Sequence, residues 1–116
     1  MKKIIYLCGV FLLAGCVEVA SNNEPSYDSF VTCLNQAGTH LYVSTTCPHC
    51  HEQKALFGAS ADKLNLIDCY YDSAKCVAAN VPSVPTWIFA NGKRAVGVQT
   101  FKYLSEQTNC PLPQQP

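Results

Sequence analysis

Apolar and polar positions divide the chain into a short apolar lead, a polar stretch and a longer patterned region. Lys2 and Lys3 precede an apolar run from Ile4 to Ala14. A charged start before a core too short to span a bilayer as a stable helix is the pattern of a signal peptide. From Val17 to about Tyr27 the residues are mostly small, polar or acidic, Ser21-Asn22-Asn23-Glu24-Pro25-Ser26 among them. That stretch has too little apolar content to fold, and it reads as a flexible tether.

The patterned region starts where Tyr27, Phe30, Val31 and Leu34 recur at helical spacing, with Ser26 or Asp28 as cap and Gly38 as a left-handed stop. His40 to Thr45, with Leu41, Tyr42 and Val43, predicts a strand, and Pro48 to about Phe57 predicts a helix ending at Gly58. Leu64 to Ile67 reads as a second buried strand, and a polar link through Asp68 and Asp72 leads to a short helix near Ser73 to Ala79. Trp87-Ile88-Phe89 is strongly β-prone, Asn91-Gly92 is a hairpin signal, and Lys93 to Val98 returns antiparallel. Thr100 caps a last helix in which Phe101 and Leu104 face the core, and Cys110-Pro111 leads into a Pro/Gln tail. This order predicts an α/β fold with a mixed central sheet of about four strands flanked by helices. The boundaries that follow are a removed signal peptide over 1–15, a tether over 16–27, a folded domain over 28–110 and a disordered tail over 111–116.

At 116 residues there is room for one domain. Eight acidic and eight basic side chains balance, and the basic ones are scattered, so neither a nucleic-acid footprint nor a polybasic membrane patch is present. The cysteines change the picture more. Eight in so short a chain is far above average usage and points to an oxidising, extracytoplasmic compartment once the chain is exported. Leu13-Ala14-Gly15-Cys16 resembles the lipobox of prokaryotic lipoproteins. That resemblance implies cleavage before Cys16, a lipid on Cys16 and membrane anchoring on the periplasmic or cell-surface side. Cys8 lies in the segment removed.

The chemistry concentrates in Thr45-Thr46-Cys47-Pro48-His49-Cys50-His51. A Cys at a helix start meets unpaired N–H groups and the positive end of the helix dipole, which favours thiolate over thiol. Cys47 is therefore the candidate nucleophile. Pro48 suits the first helical position, and the helix carries Cys50 one turn on, within disulfide reach. A cationic or hydrogen-bonding His49 would stabilise the Cys47 thiolate further. Other readings of the same residues are a structural disulfide, half a zinc site, and haem attachment through Cys47, Cys50 and His51.

With Val84-Pro85-Thr86 placed just before the hairpin, these residues resemble the thioredoxin superfamily over about Phe30 to Cys110. Finer features, Cys33-Leu34, Cys47-Pro48-His49-Cys50, Gln53-Lys54-Ala55-Leu56-Phe57-Gly58, Pro85-Thr86-Trp87 and Cys110, are similar to thioredoxin-like domains found alone or fused to vitamin K epoxide reductase homologues. The resemblance implies a redox-active Cys47–Cys50 pair, no cofactor, and a cis Pro85 beside it. It also implies Val84, Pro85 and Thr86 as a substrate-binding stretch, exported protein thiols or disulfides as substrates, and a membrane redox partner such as a vitamin K epoxide reductase homologue. The Pro-His pair matches the strongly oxidising periplasmic oxidases of the superfamily. Cytoplasmic thioredoxins usually carry a buried carboxylate where this chain has Leu41, and Trp where it has Thr46, departures that favour the oxidising, disulfide-forming direction, with a disulfide reductase or isomerase as the alternative. Of the remaining cysteines, Cys69 and Cys76 bracket a short loop, while Cys33 and Cys110 lie on the first and last helices. Both pairs read as structural disulfides, with an electron relay through Cys69–Cys76 as the alternative.

Overall fold

A computed structural model describes residues 26–114, together with the isolated Gly15. Most of the expected signal segment, Cys8, Cys16, the tether up to Pro25 and the last two residues of the tail lie outside the described residues. Eight regular elements follow in order: α1 (Asp28–Gln36), β1 (His40–Val43), α2 (Pro48–Phe57), β2 (Leu66–Asp68), α3 (Ser73–Ala78), β3 (Thr86–Ile88), β4 (Arg94–Val96) and α4 (Phe101–Thr108).

Helix α1 buries Phe30, Val31 and Leu34, the stripe that a 3.6-residue period puts on one face. Its N-cap is Tyr27, whose side chain makes no capping bond; of the two expected caps, Ser26 Oγ accepts the Asp28 N–H at 3.5 Å, whereas Asp28 does not cap the helix. Tertiary partners compete for it: the Asp28 carboxylate accepts from Ser60 Oγ and Lys63 Nζ, each at 2.6 Å. The chain leaves through Gly38 at φ +78°, where a Cβ would also sit 3.1 Å from Ala90 Cβ, so only glycine fits the turn into β1.

The sheet runs β2-β1-β3-β4, with β1 and β2 parallel and the other two pairings antiparallel. This is the predicted α/β architecture, a thioredoxin-like mixed sheet flanked by helices. Strand β2 lies later than the sequence indicates. Leu64 is buried, but it closes a 3-10 turn over Gly58–Lys63 that has no apolar period to announce it, and pairing begins only at Leu66. Strand β4 is shorter than expected: Gly97 takes φ +92°, and although its N–H still donates in register to Pro85 O at 2.8 Å, Pro85 has no N–H to return the pair.

Phe57 holds the layers together. Its ring lies 6.3 Å from Phe30, 6.0 Å from Trp87 and 4.8 Å from Phe101, joining the end of α2 to α1, β3 and α4. Fully burying side chains of this size contributes roughly 1.5–3 kcal/mol each. Two disulfides lie outside this cluster's centre: Cys33–Cys110 ties α1 to the segment after α4, and Cys69–Cys76 ties the turn after β2 to α3.

Candidate active site

Strand β1 delivers the chain to Ser44, and a turn places Cys47 as the N-cap of α2 with Pro48 at the start of the helix. Extended backbone at Cys47 turns its side chain back over the first helical turn, so its Sγ accepts from Cys50 N–H at 3.2 Å. That is the capping interaction a Ser or Thr would make, with sulfur in place of oxygen. The two thiols are free, and they differ in environment: Cys47 is half-buried, whereas Cys50 is fully buried. Burial first, and the hydrogen bond with Cys47 next, push the Cys50 thiol up to about 12. Cys50 therefore stays protonated when the pair is reduced.

The second stretch lies against the first. The Cys47 thiol donates to Val84 O at 3.6 Å, across 37 residues of sequence. The Val84–Pro85 peptide is cis, Pro85 is fully buried, and Thr86 Oγ1 donates to Ser83 O at 2.7 Å, fixing the turn before β3. Val84 and Pro85 thus sit beside Cys47, whereas Thr86 is buried in the strand and offers its side chain to its own loop.

The histidines point elsewhere. His49 is largely exposed and its Nδ1 lies 3.2 Å from Glu52 Oε2, so its described hydrogen bond goes along the helix and not to Cys47. His51 Nε2 lies 2.9 Å from Thr45 O, which engages the nitrogen that a haem iron would need. Among the described residues, no group of three or more His, Cys, Asp or Glu side chains could hold a metal ion. The four cysteines outside the pair are bonded as Cys33–Cys110 (S–S 2.12 Å) and Cys69–Cys76 (2.07 Å).

Two contributors escaped the sequence reading. Asp68, there only a linker residue, accepts from Thr45 Oγ1 at 2.6 Å, Thr45 N–H at 3.3 Å and Tyr70 N–H at 2.9 Å, tying the loop before Cys47 to the end of β2. Desolvation works against its ionisation, but these hydrogen bonds and the charge of Lys54 outweigh it and hold Asp68 below the ordinary carboxylate value. A depressed folded-state value gives stability that is present above the unfolded value of about 3.9 and is lost as pH falls through the lower folded one. Asp68→Asn is accordingly expected to be less stable than wild type at pH 7 and to converge on it below about pH 3 in denaturant unfolding. A constant difference across that range would reject the assignment. The other contributor, Gln53, is fully buried on α2, one turn beyond Cys50. Its spacing, three residues after Cys50 and four before Phe57 on one helix face, was the available signal.

Comparison with characterised proteins agrees with this geometry. The chain is 34% identical over 106 residues to thiol-disulfide oxidoreductase LTO1 of Arabidopsis thaliana. The match takes in 84% of this chain and 28% of that protein, so the chain spans well under a third of its relative's length. No family model matches the chain. The arrangement can do reversible dithiol chemistry: a half-buried sulfur that accepts a helix N–H, a buried partner sulfur one turn away, and the Val84 carbonyl alongside.

Proposed function

We propose that this chain is a protein thiol-disulfide oxidoreductase that acts through Cys47 and Cys50 on exported proteins, in the disulfide-forming direction. The observation that carries this reading is the asymmetry of the pair, with Cys47 Sγ accepting the Cys50 N–H at the helix start while Cys50 is buried and held as a thiol. The name of the Arabidopsis relative supports the same activity.

In the oxidised protein, a substrate thiolate attacks Cys47 Sγ. The Cys47–Cys50 bond breaks, Cys50 takes up a proton, and a mixed disulfide forms between Cys47 and the substrate. A second substrate thiolate then attacks the substrate's own sulfur in that bond. This releases an oxidised substrate and leaves both electrons on the Cys47–Cys50 dithiol. Val84, half-buried beside Cys47, offers backbone and surface to the substrate chain, and the buried Pro85 holds it in place. The dithiol returns to the disulfide by exchange with a membrane redox partner, a quinone-linked oxidase such as a vitamin K epoxide reductase homologue.

The oxidising direction is supported by the Pro48-His49 pair between the cysteines, which resembles the strongly oxidising periplasmic oxidases of the superfamily, and by Leu41, buried on β1 where cytoplasmic thioredoxins usually carry a carboxylate. Equilibration of the full chain with glutathione, read by alkylation and mass spectrometry, is expected to give a reduction potential on the order of −120 mV. A value near about −270 mV would assign it as a reductase instead.

Placement outside the cytoplasm belongs to the same proposal: a signal peptide over 1–15, a lipid on Cys16, a tether over 16–27 and a domain over 28–110. Mass spectrometry of the mature N-terminus is expected to find a diacylglyceryl group on Cys16. An unmodified terminus would reject the anchor.

A further inference from the structure

Gln53 uses both ends of its amide. Its Oε1 accepts from Trp87 Nε1 at 3.0 Å and from Gln99 N–H at 2.6 Å, and its Nε2 donates to Gln99 O at 3.2 Å. Trp87 is in β3, two residues after Pro85, and Gln99 lies in the loop between β4 and α4. That loop returns to the site, because Gly97 N–H donates to Pro85 O at 2.8 Å. Gln99 Nε2 braces the same loop by donating to Val96 O at 3.1 Å and Gly97 O at 3.2 Å. The contacts close a ring: Cys47 at the head of α2, Gln53 on the same helix, Gln99 and Gly97 in the loop, then Pro85 and Val84, whose carbonyl meets Cys47 Sγ.

Packing alone would not need this ring. Burying an amide and an indole N–H in a core of aromatic rings costs free energy unless each is paired, and an apolar side chain at 53 beside a Phe at 87 would fill the space without that demand. The pairing does something that apolar contacts do poorly: it fixes distance and register between two segments that must face each other across the dithiol.

We infer that Gln53 is a positioning residue that sets the backbone of Val84 and Pro85 against Cys47, and so determines how well a polypeptide substrate, as opposed to a small thiol, is presented to the sulfur. This inference rests on the dithiol reading above. A small dithiol needs only access to Cys47, whereas a protein thiol must also lay its chain along Val84.

The test uses the oxidised full chain and compares its rate of oxidising a reduced, unfolded protein with its rate of oxidising dithiothreitol. Gln53→Met is expected to lower the protein-to-dithiothreitol rate ratio at least tenfold. Gly97→Ala perturbs the Pro85 end of the ring from a part-exposed loop, because its φ of +92° disfavours a side chain although no atom lies within 4 Å of the new Cβ. It is expected to lower the ratio in the same direction, and it decides the matter if Gln53→Met does not fold. A lower melting temperature with the wild-type ratio retained within twofold would mean that Gln53 only stabilises the core, and would overturn the inference alone. Wild-type protein that oxidises neither substrate would overturn the dithiol reading, and this inference with it.

Discussion

Cys50→Ser is expected to turn the protein into a trap that accumulates mixed disulfides with its substrates through Cys47, while Cys47→Ser forms none and loses turnover by about a thousandfold or more. The difference follows from the two environments. Cys47 is only half-buried and its Sγ accepts a helix N–H at the head of α2, so it is the sulfur a substrate can reach. Cys50 has no exposed surface, and burial pushes its thiol up to about 12, so at pH 7 the thiolate that would attack in its place is scarce. Non-reducing gels of both variants, with brief alkylation of the reduced wild type followed by mass mapping, examine the assignment together. Label should arrive on Cys47 first. Trapping through Cys50 in Cys47→Ser, or equal labelling of the two, would reverse the roles.

The paired variant Cys33→Ser/Cys110→Ser is expected to lose about 4.5 kcal/mol of stability, and Cys69→Ser/Cys76→Ser about 2.5 kcal/mol, in the chain-entropy picture. The order follows from loop size, since the first bond spans a sequence separation of 77 and the second only 7. Against a net stability of 5–15 kcal/mol for a small domain, the first loss lowers the melting temperature by about 15 °C or more. Calorimetry of the two pairs gives the order, and equal losses would show that strain or residual structure dominates over loop closure. Graded reduction adds an independent reading. Cys110 is buried, and both bonds are expected to remain when a mild reductant has opened Cys47–Cys50. Opening of Cys69–Cys76 together with the active pair would favour a relay through it.

Local rules were enough for much of this molecule. The spacing of Phe30, Val31 and Leu34 marked α1, Pro48 and Gly58 bounded α2, and Asn91-Gly92 placed the hairpin, because each depends on backbone preferences and periodicity within a few residues. The pair Cys47 and Cys50 was legible for the same reason: helix geometry alone sets the second sulfur one turn from the first. Long-range competition for polar groups was not legible. Asp28 leaves its capping role for Ser60 and Lys63, more than 30 residues away. Asp68 fixes Thr45 across 23 residues. Gln53 closes a ring with Trp87 and Gln99, and Val84 meets Cys47 across 37 residues. Periodicity along the chain reports which face of an element is buried. Which polar atom on that face finds which partner is decided only when the sheet order β2-β1-β3-β4 brings distant segments within the 3 Å or so over which a hydrogen bond acts.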